Sequence, residues 1–124
     1  MRKAAVTISM LIVVGARALA AQDSLPANVY YESQVTHAVV VTRRVEPAYP
    51  DSLRGARIGG RVLAQWVVDT TGMAERRTVR ILKTPHAALG GAVRDAALAM
   101  RFRPADLDGK KVRQLVQMGF RFNP

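Results

Sequence analysis

The chain has 124 residues and a formal net charge of +10, from nineteen Lys and Arg residues against nine Asp and Glu residues. This length suits one small domain with an export segment, and a second independent core is not expected. The sequence contains no cysteine, which excludes a disulfide framework, a thiolate metal site and a cysteine nucleophile.

The N-terminal residues have the pattern of a bacterial export signal. Arg2 and Lys3 precede an uncharged run over residues 4–16, whose thirteen residues have the length of a signal-peptide apolar core. Arg17 interrupts this run well before the roughly 20 apolar residues that a membrane-spanning helix needs. We therefore interpret residues 1–21 as a signal peptide, with a short retained N-terminal anchor in the inner membrane as the alternative.

Small residues after the apolar run predict where the signal is cleaved. Ala18 and Ala20 form an A-x-A pattern, which places cleavage after Ala20 or one residue later, so that the mature chain starts near Gln22. The predicted location is the periplasm.

Residues 22–44 then form a linker with one candidate strand at residues 38–41, and the linker lacks the Pro-rich composition of a stiff spacer.

The strong positive charge raises nucleic acid and anionic membranes as partners. A nucleic-acid surface requires arginines clustered on one face with aromatic residues between them, whereas the arginines of this chain occur in every segment. An exported domain also meets no DNA. A basic binder of nucleic acid or anionic lipid is therefore the least favoured alternative, and we predict no nucleic-acid partner.

The region after the linker begins with a rigid segment and a short helix. Pro47 and Pro50 fix φ and hold the residues before them extended, and Pro50 suits the first position of a helix. Leu53 gives this helix an apolar contact, and Gly59-Gly60 predicts its end.

Two strands and a tight turn follow the helix. Residues 61–69 alternate with period two, which predicts a strand whose Trp66 side faces the core. Asp69 and Gly72 begin and end a four-residue pattern that is typical of a type I turn. Residues 78–82 form the second strand, so the sequence predicts a β-hairpin.

A longer helix and a last strand complete the domain. Thr84 and Pro85 are typical of a helix N-cap and its first helical residue, and apolar residues at helical spacing predict a helix over residues 86–101. Pro104 is expected to stop this helix. The apolar face of the final strand consists of Val112, Val116, Met118, Phe120 and Phe122.

Taken together and in this order, the motifs of residues 45–124 resemble the C-terminal domain of the TonB family. They are Pro47-Ala48-Tyr49-Pro50, Ile58-Gly59-Gly60-Arg61-Val62, Val68-Asp69-Thr70-Thr71-Gly72, Val79-Arg80-Ile81-Leu82, Met100-Arg101-Phe102-Arg103-Pro104-Ala105 and Gly109-Lys110-Lys111-Val112. The resemblance implies an α+β fold in the order α-β-β-α-β, with a three-stranded antiparallel sheet packed against two helices. It also implies a binding activity without catalysis.

In this family, the domain binds a short extended segment of outer-membrane transporters, the TonB box, by adding it to the sheet as a further strand. An edge strand presents unpaired N–H and C=O groups that such a segment can satisfy. The resemblance therefore implies a partner-binding surface on the rigid segment and the last strand, linked to energy-dependent transmembrane transport. Its residues are Glu46, Pro47, Tyr49, Pro50, Val112, Arg113, Gln114, Leu115, Val116, Gln117, Met118, Gly119 and Phe120.

The N-terminal half of the chain separates two functions that share this fold. Energy transducers of the family keep a membrane helix that bears a histidine for the proton-driven motor, followed by a long Pro-rich spacer. Residues 1–21 contain no histidine, and the linker contains only Pro26. The sequence therefore does not support an inner-membrane motor complex as a partner, and a free periplasmic adaptor or scaffold is the alternative. The exposed last strand can also pair with a copy of itself, which predicts a reversible homodimer at high concentration.

The sequence offers no enzymatic or cofactor chemistry. His37 and His86 are the two histidines, and no metal-ligand spacing surrounds them. Gly59-Gly60 precedes a strand instead of following one, so it does not form a phosphate-binding loop. Ser52, His86 and a distant aspartate could be combined on paper into a Ser-His-Asp catalytic triad, but a combination of this kind is expected by chance in any chain. We therefore predict no catalytic residue, no metal and no cofactor.

Overall fold

A computed structural model describes residues 28–124 in full and residues 6–11 by their backbone. Its elements in chain order are β1 (Val6–Leu11), β2 (Val29–Tyr30), β3 (Val40–Arg43), α1 (Asp51–Gly55), β4 (Gly60–Val68), β5 (Arg80–Lys83), α2 (Ala87–Ala99), β6 (Arg101–Arg103), β7 (Ala105–Leu107) and β8 (Lys110–Phe122). The described residues also form 3-10 helices at Glu32–Gln34 and Arg76–Thr78. The predicted cleavage site and the predicted mature start at Gln22 lie outside the described residues.

Strand β8, with 13 residues, is the centre of the fold. β4 pairs antiparallel with residues 114–122 of β8, and β5 pairs antiparallel with β4. On the side of β8 opposite β4, β1 runs antiparallel to residues 117–122 and β2 runs parallel to residues 113–114. β7 pairs antiparallel with residues 110–112, and β3 and β6 form a separate antiparallel pair. The described part of the main sheet is therefore mixed, with the path β1-β8-β4-β5.

The predicted three-stranded antiparallel sheet is thus incomplete. The three predicted strands correspond to β4, β5 and β8, and they pair antiparallel as expected. The described sheet nevertheless has six strands, one of them parallel to β8. Sequence reasoning missed three of these strands. β1 has six residues and lies in the apolar run that we interpreted as part of a signal peptide. The other two are short, with two residues in β2 and three in β7. Segments of two or three residues are too short to show a period-two pattern. They are strands because they pair with β8, and this pairing cannot be read from their own sequence.

One main core lies between the sheet and the helices. Residues that are directly opposite in the β4–β8 register share a face, so Trp66 lies beside Val116 and both are buried. The Trp66 and Phe102 rings are 6.2 Å apart between centroids, which confirms Trp66 as a core residue. Burying one such large apolar side chain contributes roughly 1.5–3 kcal/mol. Further fully buried members are Val62, Ala64, Val68, Leu89, Val93, Ala97, Met100, Met118, Phe120 and Phe122.

Helix α2 is shorter than predicted at both ends. Its N-cap is His86, whose Nδ1 accepts a hydrogen bond from a backbone N–H at 3.0 Å, and not Thr84, whose hydroxyl donates to the His86 carbonyl. At the other end, Met100 is extended with ψ 160°. The chain then continues as Arg101–Arg103, which pair with β3. This pairing, and not Pro104, ends the helix.

The predicted turn at Asp69 is present and is held by the aspartate side chain. The Gly72 N–H donates to the Asp69 carbonyl at 3.0 Å, and Gly72 has a φ of +92°. Asp69 Oδ1 accepts the Thr71 N–H, the Thr71 hydroxyl and the Met73 N–H at 2.9, 2.6 and 3.1 Å. Partial burial opposes ionisation, but these hydrogen bonds outweigh it and lower the pKa of Asp69 below its ordinary value. The ionised carboxylate therefore stabilises the turn.

We expect Asp69→Ala to lower the free energy of unfolding by about 1 kcal/mol near neutral pH, because the turn loses the acceptor of three hydrogen bonds. Since the folded pKa of Asp69 lies below its unfolded value, this stabilisation is present above the unfolded pKa and is lost as the pH falls through the folded one. Urea unfolding at neutral and acidic pH should show that the loss shrinks in acid. Asp95→Ala, at an exposed carboxylate of α2, is the matched control. Equal losses in both variants at neutral pH would contradict this role of Asp69.

Candidate functional site

The candidate site is the side of β8 that faces away from β4 along residues 117–122, which we call the outer edge. Each side of a strand presents N–H and C=O groups that need a partner strand or water. β4 supplies this partner on one side. On the outer edge, β1 runs antiparallel with Val6 opposite Phe122 and Leu11 opposite Gln117. The outer edge is therefore able to accept an extended segment as a further strand.

The nine predicted site residues of β8 differ in the partners that the chain gives them. The members that lie within the outer edge are Gln117, Met118, Gly119 and Phe120. Those that already pair with β7 or β2 are Val112, Arg113 and Gln114. Those that lie between the segments paired with β2 and β1 are Leu115 and Val116. The side chains of Met118 and Phe120 are buried in the core, so a strand added there would meet their backbone.

The side chains of Arg113 and Gln114 have partners inside the chain. Arg113 donates from Nε and Nη2 to the two carboxylate oxygens of Glu75 at 2.6 and 2.7 Å. This hydrogen bonding raises the pKa of Arg113 above its ordinary value, by more than partial burial lowers it. Gln114 is 1% exposed, and its Oε1 accepts the Val39 N–H at 2.9 Å. Both side chains therefore attach other parts of the chain to β8.

The predicted site residues before α1 lie at the Phe122 end of β8. The Tyr49 hydroxyl donates to the Ile58 carbonyl at 2.8 Å, and the Tyr49 ring stands edge-on to Phe122 with 5.2 Å between centroids. The Arg54 guanidinium lies over the same ring at 5.4 Å. Tyr49 is thus anchored within the domain. The other three predicted site residues before α1 differ in exposure, since Pro47 is buried, Pro50 is half-buried and Glu46 is exposed.

Sequence reasoning missed Arg61, which lies on the sheet face away from the core. In the β4–β8 register, Arg61 is opposite Arg121 and Leu63 is opposite Gly119. The Arg61 guanidinium lies against Gly119, where an added Cβ would come within 2.6 Å of Nη2. The period-two pattern already indicates that Arg61 points away from the core. The pairing register that brings it to Gly119 cannot be read from the sequence.

The residues that the structure describes contain no cluster of three or more His, Cys, Asp or Glu side chains that could hold a metal ion. Nor does any helix in the described ranges have the length and apolar character needed to cross a membrane.

Comparison with known proteins decides the family. The family model described as Gram-negative bacterial TonB protein C-terminal matches residues 45–124. The chain belongs to the TonB C-terminal family. Among solved structures, the solution NMR structure of the Pseudomonas aeruginosa TonB C-terminal domain is similar, with a TM-score of 0.55 and 24% sequence identity. The match covers 69% of this chain and 86% of that one, and at this identity it supports the fold alone. No curated protein matches the chain.

This TonB C-terminal domain carries additional structure from residues that precede the family match. β2 pairs with β8, and Val29 packs with Val67 and Leu115 in a small apolar cluster. β3 pairs with β6, and the Val39 N–H donates to Gln114 beside it. Residues 29–43, which fall in the predicted linker, are therefore attached to the domain at several points.

We expect Gln114→Met to lower the free energy of unfolding by about 1–3 kcal/mol, because the buried Val39 N–H loses its acceptor. Hydrogen exchange at the Val39 amide should also become faster in this variant. Gln65→Met is the matched control, since the Gln65 amide pairs with Gln117 on the other sheet face and is partly exposed. Its loss should stay below about 1 kcal/mol, with Val39 exchange unchanged. Unaltered Val39 protection in Gln114→Met would rule out the proposed attachment.

Proposed function

We propose that this chain is a non-enzymatic, TonB-like binding module of the periplasm, which docks by strand addition onto TonB-box segments of outer-membrane transporters. Its activity would thereby be linked to energy-dependent transport across the outer membrane. The observation that carries the proposal is the pairing of the six residues of β1 with the outer edge. Membership of the TonB C-terminal family supports the class of partner.

The outer edge suits recognition through main-chain hydrogen bonds. An antiparallel partner gains roughly one such bond per paired residue, and each contributes about 0.5–1.5 kcal/mol net. Side chains of the added strand alternate between the two sheet faces. Those on the core side would lie beside Met118, Phe120 and Phe122, which are buried and apolar. Apolar residues are therefore expected at alternate positions of the partner segment.

Export would make the outer edge available. Residues 6–11 form β1 and fall within the predicted signal peptide, so its removal would vacate the position that β1 takes. An incoming segment would then replace β1 along residues 117–122. In a chain that keeps β1, the partner must compete with it.

A free periplasmic adaptor of the same fold, without coupling to a motor, is the second candidate. The attachment of residues 29–43 through β2, β3 and Gln114 favours it, because these contacts shorten the free spacer before the domain. Such an adaptor would use the same outer edge for another envelope partner.

Alternating backbone methylation of a TonB-box peptide tests strand addition directly. N-methylation removes N–H donors, and only one of the two alternating sets of N–H groups faces β8 in an added strand. We expect one methylated peptide to lose at least about tenfold in affinity and the other to bind like the unmodified peptide. The protein should be recovered after export, with its N-terminus assigned by mass spectrometry. In NMR titrations, the amides of residues 117–122 should shift.

The edge strand β5, at the other end of the sheet path, provides the internal control for this titration. Its residues 80–83 should keep their amide signals unchanged. Equal binding of both methylated peptides, or shifts on β5 in place of residues 117–122, would overturn the proposal.

A further inference from the structure

Arg61 extends from β4 across β8 toward the outer edge. Its Nη2, Nε and Cζ atoms lie 2.6, 2.9 and 3.1 Å from the position that a Cβ of residue 119 would take. Gly119 therefore provides the space in which the guanidinium lies. The ion pairs within residues 28–124 are His37–Asp106, Arg54–Asp51 and Arg113–Glu75, and none of them involves Arg61.

Arg121 adds a second positive charge on the same face. It lies directly opposite Arg61 in the β4–β8 register and is exposed, as Arg61 is. Like charges at directly opposite positions repel each other, and no ion pair within residues 28–124 offsets this pair. A carboxylate from another segment would therefore be electrostatically favoured on the sheet face beside the outer edge.

The geometry of strand addition brings one partner residue to this guanidinium. A strand on the outer edge has one residue directly opposite Gly119, the position that Ser9 takes in β1. Directly opposite Cβ atoms are about 4.5–5.5 Å apart, and the Arg61 guanidinium lies where the Cβ of residue 119 would be. An Asp or Glu at this position would bring its carboxylate within hydrogen-bond distance of Arg61.

We propose that Arg61, seated on Gly119 beside the charge of Arg121, selects partner segments with an acidic side chain opposite Gly119. This selection rests on the proposed strand addition and deepens it, because backbone pairing alone discriminates little among extended segments. A guanidinium offers parallel donors that fit a carboxylate and not an amide. The favoured partner is an extended segment with apolar residues toward the core and an acid on the other face.

Two capped peptides that differ at one position test this selection. Both alternate Val and Thr between Gly-Ser ends, and one has Asp at a central Thr position where the other has Asn. The exported protein should bind the Asp peptide about five- to tenfold more tightly than the Asn peptide at low salt, and this preference should fall at high salt. Any retained β1 competes equally with both peptides, so the ratio of affinities is unaffected.

Three variants distinguish a direct contact between Arg61 and the partner's carboxylate from attraction by the net charge of the protein. Arg61→Ala should abolish the preference for Asp and leave the affinity for the Asn peptide unchanged, which a merely structural role of Arg61 would not do. Gly119→Ala keeps the charge of Arg61 but fills the space under its guanidinium, so the preference should weaken. Arg77→Ala changes the net charge equally at an exposed turn following the far end of β4, and the preference should persist.

The outcomes distinguish this inference from the proposed function. Equal binding of the Asp and Asn peptides to the unaltered protein would overturn selection by Arg61 and leave strand addition intact. Equal loss of preference in Arg61→Ala and Arg77→Ala would also overturn it, since net charge alone would then explain the effect. If neither peptide binds, strand addition is contradicted and the selection falls with it.

Discussion

The fold depends on the need of β8 to satisfy backbone hydrogen-bonding groups along both of its sides. β4 meets this need on one side of residues 114–122, while β2 and β1 pair with parts of the other side. An unpaired side of a long strand accepts extended chains readily, which makes it an aggregation hazard in most proteins. In this TonB C-terminal domain, the same property is the basis of the proposed binding.

The two faces of the sheet have different roles around this edge. On the core face, Trp66, Phe120 and Phe122 are buried in the main core, which also contains residues of both helices. On the opposite face, Gly119 lacks a side chain and Arg61 occupies the space above it. Backbone pairing along the outer edge would provide affinity, and the charged face beside it would provide discrimination.

Sequence patterns predicted the elements that are long or carry a local motif. β4 and β8 alternate over enough residues to be recognised, and Asp69 with Gly72 specifies its turn through contacts within five residues. The short strands β2 and β6 pair with partners far along the chain, so no local pattern predicts them. β3 overlaps the candidate strand at residues 38–41, but its partner β6 could not be predicted. β7 pairs across a tight turn with the start of β8, and at three residues it is too short to show an alternating pattern. The hydrogen bond from the Val39 N–H to Gln114 and the packing of Arg61 over Gly119 also depend on strand-pairing register, which a sequence alone does not reveal. The candidate edge itself came from the family resemblance, and the pairing of β1 narrows it to residues 117–122.

Amide hydrogen exchange along residues 117–122, with and without a TonB-box peptide, tests the central claim most directly. In an antiparallel strand, N–H groups point alternately to the two sides, so every second amide in this segment should be protected by β4 throughout. In exported protein from which Val6–Leu11 has been removed, the intervening amides should exchange rapidly and become protected when the peptide binds. Protection of all six amides without the peptide, or binding that leaves the intervening amides unprotected, would contradict the assignment of the outer edge as the binding surface.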